Sequence, residues 1–378
     1  MKSLASLSYL HIIVVIILVV TLAGCAPQLG DSDAALLLED IVAGDSPSRL
    51  KAKTVTPSRR TLEYIIDGRH SMADLYLPSD RVRAGIVLIP GVVADGKDDK
   101  RLVALANTLA RLQFAVLIPE VEGLRRFHTR ASDVRVLADA FRYLVSKPEL
   151  APEGRAGFGG FSYGVGIVLL ASLEPDIREQ VRYLMGFGGY YDMHSIVTYF
   201  TTGFYRDEMS NKLKYRYPHY YLKWVFTLSN TDLLERVEDA ETLRALADSF
   251  RYKSDTSVEL SKLAPDARAL YDLITNENPK RVAPLIDKLS PRIRDELEGI
   301  NPAKRDLSQF RAQAILLHGR ADTMIPYTES IAIARALPQE KVELFLIEGY
   351  AHTDVKPERG DLPKILDAMK MLMAQRKD

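Results

Sequence analysis

Short unbroken apolar runs alternate with stretches of helical periodicity from Ala84 to Gly189, and again from Ala312 to the C-terminus, and this alternation leaves few folds open. The runs are AGIVLIP, FAVLIPE, RAGFGGF, VRYLMGFG, AQAILLHG and VELFLIEG. Helices are expected between and after them, over 98–112, 131–147, 163–173, 327–337 and from 361 to about 374. Strands that are apolar throughout must be covered on both faces, and strands joined through helices run parallel. Ahead of them TLEYII and HSMADLYL flank Asp67 and Gly68, a pair that tolerates the positive φ of a tight hairpin turn. The expectation is an α/β protein with a mostly parallel eight-stranded sheet and helices on both faces.

Between Gly189 and about Asp306 the alternation stops. A crossover needs only its helix and two short loops, so more than about 100 extra residues demand structure of their own. This predicts a helical cap, residues 190–306, inserted before the penultimate strand, with the core formed by 61–189 and 307–378. Its first part, 190–226, holds eight Tyr, three Phe and Trp224, whereas the chain as a whole is 8% aromatic. Such a cluster serves either as the packing core of the cap or as the lining of an apolar substrate site or lipid-facing lid. The second part is charge-laced and is expected as short helices cut at Pro265, Pro279, Pro284, Pro291 and Pro302.

Composition excludes other classes. The chain of 378 residues is 47% hydrophobic, with 50 Lys and Arg against 50 Asp and Glu. Nucleic acid is therefore not an expected partner, because phosphate contacts need a clustered positive excess. The single cysteine, Cys25, rules out an intramolecular disulfide and any Cys-based zinc site, and no HExxH or Cys/His spacing suggests another metal. No cofactor is expected. The N-terminus has one Lys, an apolar run from Ile12 to Val20 and then the small residues Ala23 and Gly24, which is a signal-peptide profile. His11 interrupts the run before it reaches the roughly 20 residues a membrane-spanning helix requires.

Leu22, Ala23, Gly24 and Cys25 resemble the lipobox of bacterial lipoproteins, in which the chain is cut before the cysteine and the new N-terminus is acylated. The resemblance implies a leader over 1–24, lipidation at Cys25 and a membrane partner; residues 25–60 are read as a tether with one docked helix, Asp33 to Ala43, stopped by Gly44. Ala26, rather than Asp, follows the cysteine. In a Gram-negative host that feature implies the outer membrane, on its periplasmic side.

The strand RAGFGGF runs into Ser162 and a helix, so Gly160, Phe161, Ser162, Tyr163 and Gly164 form GxSxG at a strand-to-helix turn. A turn this tight needs Gly on both sides and exposes the serine hydroxyl at the top of the sheet. It also brings the first N–H groups of the helix beside that hydroxyl, where they can meet a developing oxyanion. A dinucleotide loop anchored at Gly157 is excluded, because Ser162 stands where GxGxxG needs its last Gly.

A serine hydroxyl needs a base to take its proton and a third group to fix that base. Asp322 follows the strand AQAILLHG in RADTMIP, and His352 follows VELFLIEG in YAHTD. Both loops open on the same edge of a parallel sheet as the serine. Of the seven histidines only His352 combines a loop with a position after the final strand. His318, at a strand end, is expected to hydrogen-bond locally, and Asp354 is too near His352 in sequence to approach its ring easily.

The order Ser, Asp, His and the segment HGRADTMIP, which resembles the HGxxDxxxP acid loop, make the chain similar to the α/β hydrolase superfamily over about residues 61–375. The resemblance is to carboxylesterases and dienelactone hydrolase-like enzymes. It implies oxyanion donors on the N–H groups of Val92 and Tyr163, although Pro90 stands where many members have His before the Gly. Haloalkane cleavage is disfavoured, since that branch carries Asp in place of Ser162. The expected reaction is acyl transfer from a small-molecule ester; thioester or amide hydrolysis, acyl transfer to another acceptor and a non-catalytic binding lipoprotein remain alternatives.

Overall fold

The computed structural model describes residues 30–377 except 208–209, 253, 255 and 350–359. Its ten strands are β1 (Ser58–Ile66), β2 (Arg69–Leu77), β3 (Ala84–Ile89), β4 (Phe114–Pro119), β5 (Ala156–Phe161), β6 (Tyr183–Phe187), β7 (Phe204–Arg206), β8 (Leu213–Tyr215), β9 (Gln313–Gly319) and β10 (Val342–Ile347). The helices are α1 (Asp33–Ala43), α2 (Arg49–Lys53), α3 (Lys100–Arg111), α4 (Glu122–Arg125), α5 (Ser132–Val145), α6 (Tyr163–Ala171), α7 (Met193–Thr202), α8 (Tyr220–Thr231), α9 (Val237–Tyr252), α10 (Pro265–Ile274), α11 (Val282–Ile286), α12 (Pro291–Gly299), α13 (Thr328–Ala336) and α14 (Asp361–Ala374).

Eight strands form one sheet in the order β1-β2-β4-β3-β5-β6-β9-β10. The hairpin β1–β2 turns at Asp67 and Gly68, both at positive φ; β2 pairs antiparallel with β1 and with β4, and β4, β3, β5, β6, β9 and β10 run parallel. Side chains alternate between two apolar layers as the pleat requires. Val87 and Ile89 of β3 face the layer built with α5 and α6, whereas Ile86 and Leu88 face the layer built with α1, α3 and α14. Continuous apolar runs are thus the signature of a sheet buried on both sides.

Residues 30–57 are more tightly built than a tether. They hold two helices, and α1 places Leu37, fully buried, in the layer with α3 and α14. Asp40 in the same helix is buried and accepts a hydrogen bond from Thr108 Oγ1 of α3 at 2.6 Å, while Asp33 pairs with Arg376 just after α14. The leader and Cys25 lie outside the described residues.

The chain leaves the sheet after β6 and returns at β9, and α7 to α12 fill the interval together with the short hairpin β7–β8. Most of its aromatics pack inward: Tyr190, Tyr199, Phe200, Trp224 and Phe226 are buried, in accord with a packing-core role, while Tyr215 and Tyr217 of the hairpin region stay exposed. The prolines open helices more often than they cut them. Pro265 and Pro291 each occupy the first position of a helix, where the missing N–H would have had no partner, and only Pro284 lies within one. Leu243, Leu270, Leu273 and Ile293 of this insertion belong to the same apolar cluster as α5 and α6.

Glu329 in the first turn of α13 joins the core to the start of the insertion. It is buried, and its Oε2 accepts the N–H groups of Tyr191 at 3.0 Å and Asp192 at 2.9 Å. Burial pushes its carboxyl up to about 7 from an ordinary 4.5, against the opposing pull of the two N–H groups. Because the folded value is raised, its contribution to stability is full below the unfolded value and fades as pH rises through about 7. Glu329→Gln keeps a carbonyl oxygen for both donors and cannot ionise. Thermal melts are expected to show a smaller loss of Tm between pH 5 and pH 8 in the variant than in the wild type; an equal loss in both proteins would show that Glu329 does not carry this pH dependence.

Candidate active site

The serine singled out by GxSxG sits where β5 breaks into α6. Its backbone lies at φ 54 and ψ −121, a conformation costing a non-glycine residue roughly 1–3 kcal/mol. The Ser162 N–H donates to the carbonyl of Phe187 at the end of β6, 2.8 Å away, which pins the turn to the neighbouring strand. Serine is a favoured helix cap, yet the Ser162 side chain makes no capping bond to α6. The helix it opens is buried along its whole length, so the turn rests on a rigid base.

The two flanking glycines are required for different contacts. A Cβ on Gly160 would lie 2.8 Å from the backbone of Gly164, whereas one on Gly164 would lie 2.8 Å from Pro90 O and Ile89 Cγ2. The second clash is therefore with the end of β3, not with the turn itself. The loop after β3 lies directly against the serine: a Cβ built on Gly91 would be 3.2 Å from Ser162 Cβ. Val92 and Tyr163 are both buried, and among the described residues their N–H groups meet no hydrogen-bond acceptor. Pro90 lies within this close contact and leaves the loop seated on the serine.

Asp322 lies in the loop after β9, fully buried. Its Oδ1 accepts the N–H groups of Met324 at 2.7 Å and Ile325 at 3.0 Å, so one oxygen is fixed by the backbone of its own loop. His318 is used locally. Its Nε2 lies 2.9 Å from the carbonyl of Ile325, which can only accept, so Nε2 carries a proton, and Nδ1 lies 2.7 Å from Ser330 Oγ. The same Nε2 lies 3.4 Å from Asp322 Oδ2. This histidine thus braces the acid loop. His352 and its neighbour Asp354 lie outside the described residues.

The geometry adds residues that motif reading does not supply. Asp133 in the first turn of α5 is buried, and its Oδ2 accepts the Tyr163 hydroxyl at 2.9 Å and the Arg130 N–H at 3.1 Å. Burial pushes the Asp133 carboxyl up to about 6 and raises the Tyr163 hydroxyl well above its usual range. Tyr163 is thereby tied at its side chain, next to the N–H assigned to it by resemblance. A lone Asp 30 positions upstream gives no signal of this in sequence.

Comparison with known proteins shows the fold. No family model matches the chain, and no curated protein matches it. Among solved structures it is similar to a 2,6-dihydroxy-pseudo-oxynicotine hydrolase, with 14% identity and a TM-score of 0.50, covering 84% of this chain and 68% of that one. Similarity also extends to esterase 2 of Thermogutta terrifontis, phosphonylated by sarin, with 14% identity, a TM-score of 0.48 and coverage of 86% and 97%. A puromycin-hydrolyzing peptidase of Mycobacterium tuberculosis matches with 16% identity and a TM-score of 0.48, over 85% of this chain and 38% of the peptidase. Together with the strand order, the first of these gives the class: the chain has the α/β hydrolase fold.

Gly164→Ala tests the close approach of the turn to β3. The added methyl is expected to cost about 1–3 kcal/mol in urea denaturation, as overpacking does elsewhere. A variant as stable as the wild type would mean that Ile89 and Pro90 yield freely.

Proposed function

We propose that this protein is a serine hydrolase that cleaves carboxylic esters through an acyl-enzyme. The carrying observation is the strained Ser162, held at the carboxyl edge of the sheet with the Gly91 loop packed against it. In this reading Ser162 Oγ attacks the ester carbonyl while His352 takes its proton, and Asp322 orients His352. The N–H groups of Val92 and Tyr163 hold the oxyanion as the tetrahedral intermediate forms. The intermediate collapses with loss of the alcohol, which receives the proton from His352. Water then attacks the acyl-enzyme by the same route, and the acid and free serine are released. The fold supports the class of reaction, since the 2,6-dihydroxy-pseudo-oxynicotine enzyme of this fold is itself a hydrolase.

Ser162→Ala is expected to abolish turnover of p-nitrophenyl esters while leaving the thermal melt and circular dichroism unchanged. Full turnover in a folded Ser162→Ala protein would overturn the assignment.

The lipobox-like segment supports a second part of the reading: cleavage before Cys25 and acylation of that residue, which would hold the enzyme in the cell envelope, at the periplasmic side of the outer membrane in a Gram-negative host. Each buried acyl CH₂ contributes about 0.8 kcal/mol, so several chains suffice to anchor without a spanning helix. Among the described residues no helix is long and apolar enough to cross a membrane. Cys25→Ser is expected to lose incorporation of a palmitate analogue in growing cells; equal incorporation in both proteins would remove the anchor from Cys25.

A further inference from the structure

The segment 216–221 joins the hairpin β7–β8 to α8, and it touches both loops on which the proposed chemistry depends. Its start is fixed at Gly203, the residue after α7, whose carbonyl accepts the Arg216 N–H at 2.9 Å. Gly203 has φ 78, and a Cβ there would lie 2.5 Å from the Tyr215 ring and 3.0 Å from Arg216 O, so only glycine fits. Its end is fixed by His219, whose Nδ1 accepts the Tyr221 N–H at 3.3 Å and caps α8.

Between these fixed points the segment donates three times to backbone carbonyls of the acid loop. Arg216 Nη1 donates to Arg320 O at 3.0 Å and to Asp322 O at 2.7 Å. The His219 N–H donates to Thr323 O at 2.9 Å, and Tyr199 of α7 adds its hydroxyl to the same carbonyl at 2.9 Å. On the other side, the Tyr221 hydroxyl donates to Val92 O at 2.6 Å. That carbonyl and the N–H proposed as an oxyanion donor flank the same Cα.

From this geometry we infer that residues 216–221 form a strap in which Arg216 and Tyr221 are positioning residues, holding the Asp322 loop and the Val92 loop in register with Ser162. The inference rests on the serine hydrolase reading for its effect on rate, though not for its effect on the loops. It assigns the insertion a role in assembling the site as well as in covering it. A guanidinium donating to two carbonyls and a phenol donating to a third fix the backbone of both loops. Their loss is therefore felt in the chemical step more than in binding.

The test uses the full chain carrying Tyr221→Phe, which removes one oxygen, or Arg216→Gln. With p-nitrophenyl butyrate each variant is expected to lower kcat about tenfold while KM changes less than about twofold. Hydrogen exchange provides a second readout, independent of activity. Arg216→Gln is expected to speed exchange at the Met324 and Ile325 amides, which Asp322 Oδ1 holds, and Tyr221→Phe at the Gly96 amide, which donates to Val93 O. The α6 amides serve as the unaffected reference. Unchanged kcat together with unchanged exchange in both variants would overturn the strap. Faster local exchange in a protein whose wild type turns over no ester would instead uphold the strap and overturn the hydrolase reading.

Discussion

The arrangement at the carboxyl edge depends on one steric constraint, the approach of the β5–α6 turn to the end of β3. There is no room for a side chain on Gly164 because Pro90 O and Ile89 Cγ2 already occupy it, and Gly91 rests on Ser162. Ser162 keeps its strained backbone directly beside this contact. Strain of this kind persists only where the surroundings over-determine it. Here they do so through the buried α6, the Ser162 N–H on Phe187 O and the tie from Tyr163 to Asp133.

The insertion between β6 and β9 shares the apolar cluster of the core, and polar contacts reach from it into the loops around the serine. Glu329 holds its first residues from α13, Arg216 and His219 hold the acid loop, and Tyr221 holds the loop after β3. The insertion is thus packed into the core cluster and hydrogen-bonded to its loops. Its aromatic first part divides accordingly: the buried rings form its packing core, and the exposed Tyr215 and Tyr217 lie at the hairpin.

Much of this was legible in the sequence where one physical rule acts alone. The runs AGIVLIP and FAVLIPE announce strands covered on both sides, Asp67 and Gly68 announce their turn, and Gly44 marks the end of α1. GxSxG announces the strand-to-helix turn at Ser162, where the turn itself excludes a side chain on Gly160 and the end of β3 excludes one on Gly164. The hairpin β7–β8 was not legible, since its strands are three residues each and its turn carries no Asn-Gly or Asp-Gly signal. Nor was α2, five residues long. The contacts of Arg216 and Tyr221 were hidden for a different reason. Their acceptors are backbone carbonyls, which every residue has, so no pairing of side-chain types points to them. The docked helix over 33–43 was legible, but its polar partners were not, because the burial of Asp40 depends on Thr108, 68 positions away.

The central claim is that Ser162 is an activated nucleophile, and the most direct measurement is covalent. Incubation of the purified full chain with a fluorophosphonate, followed by intact mass and peptide mapping, is predicted to give one adduct per chain, on Ser162. A folded protein that takes up no adduct, or takes it up at another residue, would contradict the account.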